Sequence, residues 1–314
     1  MIGTKRIIAL DGGTTNTRLT LMADGQITDR IKLSVGARDG RDALADALSR
    51  TIPEFLSNNG ICETEVEAIS VSGMATSELG LYNVPHIVTP AGKAELTIGS
   101  VRVSLPEICG IPFRFIPGVK TFADNTAELS EMDIMRGEET ETVAILDKMG
   151  LSQGDVTLIL PGSHMKIVNC KDGGIISFQT AMSGELTRAA AENTILNNSI
   201  GDTFTKEINP EYLRLGFDTA EKLGMGAALF KLRVAGNFKG ADKLQLYSAL
   251  LGIILHDDVE LISKTAIDTV AVGGSNPFRA AYLELLRGKV KTLTEVPEHL
   301  AENAAAYGAW AVTV

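Results

Sequence analysis

Short apolar runs alternate with polar turns at the start of the chain. Runs at 6–11, 18–22 and 27–33 are separated by two turns rich in Gly, Thr, Asn and Asp. The second turn contains Asp24-Gly25, which is a strong hairpin signal because its central positions accept positive φ. The pattern therefore predicts that the chain opens with an antiparallel meander of three strands.

The same pattern returns in the second half of the chain. Predicted strands at 156–160, 166–169 and 175–179 are separated by turns at 161–164 and 171–173. In each half the first turn is rich in small residues and presents several backbone N–H groups to one concavity, an arrangement that binds phosphate. One such turn in each half favours a chain of phosphates held by both. Generic α/β construction is the alternative explanation of the repeat.

The remaining pattern alternates helices with buried strands. Apolar residues at helical spacing predict helices, which fall at 41–56, 184–196, 218–234, 243–262, 276–287 and 298–310. Two further apolar runs, 68–71 and 267–272, read as buried strands. The polar stretch 133–141 is the predicted boundary between an N-terminal lobe, 1–135, and a C-terminal lobe, 136–314.

Composition narrows the function to chemistry on small molecules. Of the 314 residues 45% are hydrophobic and 22% charged, as in a soluble globular protein, and the net charge of −10 disfavours binding to nucleic acid or to an anionic membrane. The three cysteines are widely spaced and predict neither a disulfide framework nor a zinc site. Apolar runs are far shorter than the ~18 residues of a membrane span. We therefore expect a cytoplasmic protein without a nucleic-acid or membrane partner, and its oligomeric state stays open.

The first turn carries the most informative motif, DGGTTNTR from Asp11 to Arg18. Its glycines let a ligand approach the backbone, and its hydroxyl and amide groups donate to oxyanions. Asp11 ends the first strand, from where its carboxylate could hold Mg²⁺ through water. A plain tight turn is the alternative. The common loop G-x-x-x-x-G-K-[ST] is absent, and no G-x-G-x-x-G follows the first strand.

Two motifs in the second half extend the phosphate interpretation. In LPGSHMK, Ser163 and His164 are adjacent, which is unfavourable for a nucleophile and its base, and the G-x-S-x-G elbow is missing, so a hydrolase is disfavoured. Backbone N–H groups of this turn, with Lys166, are expected to contact terminal phosphates. In VAVGGS, bare backbone follows a buried strand and suits a flat ring, although an ordinary αβ turn has the same sequence features.

The stretch MRGEET starts a predicted helix at the junction of the two lobes. Carboxylates are favoured at helix N-termini, and plain surface helices begin in the same way. At this junction Glu138 or Glu139 could accept a proton from a hydroxyl as it attacks phosphorus.

Together these motifs resemble two known groups of proteins. DGGTTNTR, LPGSHMK and VAVGGS follow the order phosphate 1, phosphate 2, adenosine of the actin/hexokinase/Hsp70 superfamily. SGM, MRGEET, LPGSHMK and MSGEL resemble the 2-dehydro-3-deoxygalactonokinase family over essentially the whole chain. The resemblance implies an α/β, two-lobed actin-like ATPase fold of ribonuclease H-like domains with a nucleotide cleft between them. It also implies phosphorylation of the 6-hydroxyl of 2-dehydro-3-deoxy-D-galactonate, with ATP and Mg²⁺ as cofactors.

The resemblance further implies roles for individual residues. Asp11 would hold Mg²⁺, and the base would be Glu138 or Glu139. The ATP-binding turns would comprise Asp11, Gly12, Gly13, Thr14, Thr15, Asn16 and Thr17, then Gly162, Ser163, His164 and Lys166, and finally Gly273, Gly274 and Ser275. The sugar acid would contact Ser72, Gly73, Met74 and Arg136, with Arg114 as a second candidate for its carboxylate.

The chain departs from the family pattern after SGM. Family members continue with Arg-Gln-Gly-Trp, where this chain has Glu78-Leu79-Gly80-Leu81. The change of charge leaves a kinase for a different sugar acid or polyol as an alternative. A non-catalytic sensor of nucleotide or sugar acid, and an actin-like filament ATPase, are the other classes considered.

Overall fold

The chain folds into two compact units. The computed structural model describes residues 3–201, 205–266 and 268–314. Unit 1 consists of Met1–Gln153, Lys171–Ser177 and Asn303–Val314, and unit 2 consists of Gly154–Cys170 and Phe178–Glu302. In the part of the chain that the structure describes, no helix is both long and apolar enough to cross a bilayer.

The strands and helices follow one another in mixed α/β order. The strands are β1 (Arg6–Gly12), β2 (Thr17–Ala23), β3 (Gln26–Leu33), β4 (Ala68–Gly73), β5 (Ile87–Val88), β6 (Val101–Val103), β7 (Phe113–Phe115), β8 (Val119–Lys120), β9 (Ile134–Met135), β10 (Asp155–Leu160), β11 (Met165–Lys171), β12 (Gly174–Ala181), β13 (Thr269–Val272) and β14 (Thr292–Glu295). The helices are α1 (Arg41–Asn58), α2 (Lys93–Gly99), α3 (Glu138–Lys148), α4 (Ser183–Asn193), α5 (Asn197–Ile200), α6 (Pro210–Leu223), α7 (Met225–Phe238), α8 (Lys243–Ile254), α9 (His256–Thr265), α10 (Phe278–Leu286), α11 (Glu298–Ala301) and α12 (Ala304–Thr313).

The main sheet of unit 1 has the order β3-β2-β1-β4-β7-β6. β1 pairs antiparallel with β2 and parallel with β4, in a register that sets Asp11 beside Ser72 and Gly12 beside Gly73. The carboxyl ends of β1 and β4 therefore lie side by side. A small separate sheet has the order β5-β8-β9.

A second sheet repeats the strand order of the first. Its order is β12-β11-β10-β13-β14, and β10 pairs parallel with β13, with Ile159 beside Val272. In both sheets the first strand has its two successors on one side and a parallel strand on the other. The two predicted meanders are confirmed, and the turns at Asp24 and Asp172 take the positive φ of 48° and 47° that their hairpins require.

Each unit has its own hydrophobic core. In unit 1 the apolar face of α1, including Leu44 and Leu48, shares a cluster with Ile8 and Leu10 of β1. In unit 2, α8 is buried from Leu246 through Ile254, as expected for a helix that is apolar all round.

The last helix, α12, completes unit 1. It packs against α3, β1 and β4, and Gly308 comes so close to α3 that a Cβ there would lie 1.9 Å from the carbonyl oxygen of Thr140. Packing therefore groups residues 136–153 and the C-terminal residues with unit 1. The boundary predicted after residue 135 treats each lobe as one continuous stretch of chain, and the sequence does not reveal that the C-terminal residues pack with unit 1. The division into two functional lobes remains a prediction.

Several predicted helices are interrupted. The helix expected over 218–234 is divided at Gly224, whose φ of 74° ends α6, and those over 243–262 and 298–310 are divided at Leu255 and after Ala301. Continuous apolar spacing concealed these breaks because it persists across a change of helix axis. The strand predicted over 267–272 is observed as β13, and residue 267 lies outside the described residues.

The contact between α12 and α3 gives a stability prediction. We expect Gly308→Ala to lower the free energy of unfolding by about 2 kcal/mol or more, because the added methyl group meets backbone that cannot rotate away. Gly226→Ala in α7 is the matched control, since its Cβ would meet nothing within 4 Å. Urea unfolding of both variants tests this expectation, and equal stabilities would contradict it.

Candidate active site

The turn between β1 and β2 is held by the segment that follows β3. Its own closure is a hydrogen bond from the Gly13 N–H to the Asn16 carbonyl oxygen at 2.8 Å. The carbonyl oxygens of Gly13 and Thr14 accept from the N–H groups of Ala37 and Arg38 at 3.0 and 2.9 Å. These bonds fix the turn through its carbonyl groups.

The backbone N–H groups of Thr14 and Thr15 in the same turn are available to a ligand. Within the described residues, no protein group accepts a hydrogen bond from the N–H groups of Thr14 and Thr15. Thr14 is exposed and Thr15 half-buried. Successive unpaired N–H groups form a concavity of positive potential that suits phosphate oxygens. The turn thus fits the predicted phosphate site.

Asp11 ends β1 with a carboxylate that is 29% exposed. Its Oδ2 lies 3.1 Å from Nη1 of Arg18. Burial raises the pKa of Asp11, and the charge of Arg18 opposes that effect. The described residues contain no group of three or more His, Cys, Asp or Glu side chains that could hold a metal ion. A cation at Asp11 would therefore be held largely through water.

Three glycines bring distant motifs together in unit 1. Gly73, at the end of β4, has a φ of 72°, and a Cβ there would lie 2.6 Å from the Gly12 carbonyl oxygen and 3.3 Å from Asp11 Oδ1. Gly137, just before α3, has a φ of 116°, and its Cβ would lie 3.3 Å from the Cα of Gly73. The first turn, the SGM segment and the start of α3 therefore meet through bare backbone.

The two candidate bases at the start of α3 occupy different environments. Glu139 is fully buried; its Oε2 accepts from the Gly137 N–H at 2.7 Å, and its Oε1 has no partner among the described residues. Burial, followed by the charge of Glu138, raises the pKa of Glu139 to about 8. Glu138 is half-buried, and its Oε2 accepts from the Arg136 N–H at 3.1 Å.

A further carboxylate, Glu141, belongs to the same group but was missed by the sequence analysis. Burial raises its pKa to about 8, and the charges of Glu138, Asp11 and Glu139 act in the same direction. Glu141 stands three residues after Glu138, so both lie on one face of the helix. That spacing is the signal that could have found it.

Arg136 is engaged by the protein. Its Nη1 donates to the Thr76 carbonyl oxygen at 2.7 Å, and its Nη2 donates to the Val84 carbonyl oxygen at 2.9 Å. Nη2 also lies 3.2 Å from Nδ1 of His86. Burial, followed by the charge of Arg136, lowers the pKa of His86 to about 4. A neutral His86 can accept this bond. Arg136 thus ties the chain after SGM to the start of α3, and its contact with a substrate carboxylate stays a prediction.

The second candidate for the substrate carboxylate is also occupied. Arg114 is 9% exposed and donates from Nη1 to the Thr313 carbonyl oxygen at 3.0 Å and from Nη2 to the Thr97 carbonyl oxygen at 2.9 Å. It links β7 to α12 and α2.

The remaining substrate candidates differ in access. Ser72 is buried, while Met74, which follows Gly73, is half-buried. The departure from the family pattern lies farther along, where Glu78 is exposed and Leu79 is 60% exposed. Gly80 then packs so closely that its Cβ would lie 2.4 Å from the carbonyl oxygen of Ala75.

In unit 2 the predicted phosphate 2 turn rests on the start of α4. Gly162, Ser163 and His164 are exposed. A Cβ on Gly184 would lie 2.2 Å from the Gly162 carbonyl oxygen, and the Glu185 N–H donates to the Ser163 carbonyl oxygen at 3.1 Å. The MSGEL motif, residues 182–186, therefore packs against this turn and supports it.

Two side chains of this turn have different surroundings. Nε2 of His164 lies 3.1 Å from Oε2 of Glu185 at the surface. Lys166 is only 5% exposed, on β11. The predicted contact of Lys166 with phosphate stays a prediction.

The predicted adenosine motif lies beside the phosphate 2 turn. The Gly273 N–H donates to the Ile159 carbonyl oxygen at 2.8 Å, which continues the pairing of β10 with β13. Gly274 has a φ of 70°, and its Cβ would lie 2.9 Å from the Pro161 carbonyl oxygen. Ser275 is exposed. Adjacent parallel strands thus bring both motifs of the second half to one edge of the sheet.

Comparison with known families places these motifs in one context. A family model described as 2-keto-3-deoxy-galactonokinase matches residues 11–312, nearly the whole chain. The matched region includes the first turn, the start of α3 and both motifs of unit 2.

Two curated relatives are similar over part of their length. The chain is 31% identical to a Rhizobium meliloti (strain 1021) protein assigned as a 2-dehydro-3-deoxygalactonokinase, over 44% of this chain and 42% of the relative. It is 26% identical to the 2-dehydro-3-deoxygalactonokinase of Escherichia coli K12, over 63% of this chain and 59% of the relative. The matches thus span about half the length of these relatives.

A solved structure is similar over nearly the whole chain. It is that of a Sinorhizobium meliloti protein assigned as a 2-dehydro-3-deoxygalactonokinase, with a TM-score of 0.78 at 22% identity, covering 98% of this chain and 97% of that chain. This likeness concerns the fold, and the prediction of an α/β, actin-like ATPase fold is confirmed.

The buried Glu139 gives a pH-dependent stability prediction. Its pKa is raised to about 8 in the folded protein, so between about pH 4.5 and 8 the unfolded chain ionises this carboxyl and the folded protein does not. The contribution of Glu139 to stability is therefore lost as pH rises through this window. Glu139→Gln removes the effect, and its stability relative to the unmodified protein should rise by about 1 kcal/mol per pH unit.

Urea unfolding of both proteins at about pH 5.5 and about pH 7.5 measures this difference. Glu107→Gln is the control, because Glu107 is an exposed carboxylate. A difference between Glu139→Gln and the unmodified protein that stays constant with pH would show that Glu139 ionises normally.

Proposed function

The chain belongs to the 2-keto-3-deoxy-galactonokinase family, and from this premise we propose that it transfers the γ-phosphoryl group of ATP to the 6-hydroxyl of 2-dehydro-3-deoxy-D-galactonate. The observation that carries the proposal is the glycine junction of Gly12, Gly73 and Gly137. It brings Asp11 and the carboxylates of α3 to one place in unit 1. Phosphoryl transfer depends mainly on positioning and on charge stabilisation, which such a rigid junction supports.

The residues present fit a nucleotide and its cation. Thr14 and Thr15 offer backbone N–H groups to phosphate oxygens, and the exposed turn at Gly162 to His164 is the second candidate for such contacts. Asp11 would hold Mg²⁺ through water. When bound, ATP supplies the phosphoryl group and Mg²⁺ offsets its negative charge.

We assign the role of base to Glu138. Its carboxylate is half-buried and can meet a substrate hydroxyl, whereas Glu139 is fully buried and held by the Gly137 N–H. As the hydroxyl oxygen bonds to phosphorus and the bond from phosphorus to the departing ADP oxygen breaks, the hydroxyl proton passes to Glu138. Glu139, with a pKa of about 8, stays largely protonated at neutral pH and adds little repulsion.

Arg136 stabilises the segment that follows β4. Its bonds to Thr76 and Val84 order the chain that follows SGM, where the sugar acid is expected to bind. For Arg136 to bind the substrate carboxylate itself, these bonds would have to be exchanged for new ones.

A second candidate is a kinase for a different sugar acid or polyol. The observation that favours it is the acidic Glu78 beside Leu79, which departs from the pattern that the family resemblance leads us to expect at these positions. Both residues are exposed, so the difference leaves the core of unit 1 unchanged, and its bearing on the substrate is part of this proposal.

ADP release from the purified protein with ATP and Mg²⁺ distinguishes the two candidates. We expect strong stimulation by 2-dehydro-3-deoxy-D-galactonate and little by related sugar acids and polyols. Stimulation by another member of that panel would keep the kinase and change its substrate. Nucleotide binding without turnover on any compound would contradict both and favour a sensor.

Substitution of the carboxylates tests the assigned base. We expect Glu138→Gln to lower kcat by about 10²–10⁴-fold, because no acceptor remains for the hydroxyl proton. Glu139→Gln, which keeps a neutral side chain in the same space, should retain most of the activity at neutral pH. Steady-state kinetics of the two variants, with Glu107→Gln as a surface control, measures the difference. The reverse order of effects would assign the base to Glu139.

A further inference from the structure

A buried polar cluster lies in unit 2, and none of the proposed roles involves it. It consists of Ser183 at the start of α4, Asp258 of α9 and Tyr282 of α10, which are 3%, 7% and 0% exposed. The Ser183 hydroxyl donates to Oδ2 of Asp258, and the Tyr282 hydroxyl donates to the same oxygen at 2.7 Å. Three helices are thereby joined through one carboxylate oxygen.

The cluster depends on Asp258 as an acceptor. Burial raises the pKa of Asp258, and the hydrogen bonds from Ser183 and Tyr282 counteract that effect. Burial also raises the pKa of Tyr282 well above its ordinary value, so its hydroxyl remains a donor. A buried carboxylate costs desolvation energy that an apolar side chain would not. A structural role alone could be filled by apolar packing, so the segments that the cluster holds in place are relevant to its function.

The cluster leads directly to the phosphate 2 turn. Ser183 is the first residue of α4, and the next residue, Gly184, meets the turn backbone, where a Cβ would lie 2.2 Å from the Gly162 carbonyl oxygen and 2.9 Å from the Cα of Ser163. The Glu185 N–H donates to the Ser163 carbonyl oxygen at 3.1 Å. With so little clearance, a shift of the first turn of α4 must move the phosphate 2 turn as well.

The orientation of α4 agrees with this connection. Its N-terminal end, which carries the positive end of the helix dipole, lies against the exposed turn. Glu185 in the first turn of α4 opposes part of this field, and its Oε2 lies 3.1 Å from Nε2 of His164 in the exposed turn. The backbone N–H groups of the helix end and of the turn can act together on an anion only while their spacing is maintained.

We propose that Asp258 is a positioning residue for nucleotide binding, which holds Ser183, the first turn of α4 and through them the phosphate 2 turn. The inference rests on the proposed function, because it assumes that this turn contacts the phosphates of ATP. Asp258 is itself buried and acts through its bond with Ser183.

The test compares two buried Ser→Ala changes in the full-length protein. Ser183→Ala cuts the link between Asp258 and α4. Ser248→Ala is the matched control, because Ser248 is also buried in unit 2 and makes two hydrogen bonds, to the Leu244 carbonyl oxygen and from the Asn209 N–H. Titration calorimetry with ADP and Mg²⁺ measures the Kd, and thermal unfolding measures the loss of stability.

We expect Ser183→Ala to raise the Kd for ADP by about 10-fold, since a small displacement of a binding group is costly. The KM for the sugar acid should change by less than about 2-fold. Ser248→Ala should lower the Tm to a similar extent and leave the Kd for ADP unchanged.

A double-mutant cycle tests whether Asp258 acts through Ser183. Asp258→Asn should also raise the Kd for ADP, and its combination with Ser183→Ala should raise it no further than the larger single effect. Tyr282→Phe, which leaves the bond from Ser183 to Asp258 in place, should have a smaller effect than Ser183→Ala.

Two outcomes would overturn the inference in distinguishable ways. If Ser183→Ala loses stability but binds ADP as the unmodified protein does, the cluster is structural and the proposed function stands. If the unmodified protein itself binds neither ADP nor ATP with Mg²⁺, the proposed function fails and the inference fails with it.

Discussion

The contact on which unit 1 depends is the approach of backbone to backbone at Gly12, Gly73 and Gly137. A Cβ on Gly73 would lie 2.6 Å from the Gly12 carbonyl oxygen, so no other residue fits without moving β1 away from β4. The positive φ of Gly73 and Gly137 adds a second reason for glycine. Because of this contact the chain can turn sharply after β4, and α3, which starts much later in the chain, can begin beside the carboxyl ends of β1 and β4. The positions of Asp11 and Glu138 follow from it.

Burial then separates carboxylates that lie close together. Asp11 and Glu138 keep access to solvent. Glu139 is enclosed, and its pKa of about 8 means that it stays largely protonated at neutral pH. Like charges confined in a small space raise each other's pKa, and Arg18 balances part of the negative charge through Asp11. This arrangement can concentrate acidic groups beside a phosphate turn without ionising all of them. The proposed base is therefore the carboxylate that burial leaves accessible.

Unit 2 uses the same strand order to arrange a different set of groups. Its two turns lie at one edge of the sheet because β10 and β13 are parallel neighbours, and Gly184 and Gly274 allow helix and turn backbones to touch. The first turn of α4 packs directly against the exposed turn at Gly162 to His164. The buried bond between Ser183 and Asp258 holds that end of α4.

The sequence by itself determined the local features: both meanders, the hairpin turns at Asp24 and Asp172, and the turn motifs that carry the family resemblance. These depend on neighbouring residues and on backbone preferences, which a short segment contains in full. Only the tertiary structure decided that Arg136 is engaged by Thr76 and Val84, that Glu141 joins the carboxylates, and that α12 returns to unit 1. It also distinguished Glu138 from Glu139 by burial. The physical reason is that exposure, charge and hydrogen bonding are set by residues far apart in the chain, whose approach no local pattern records.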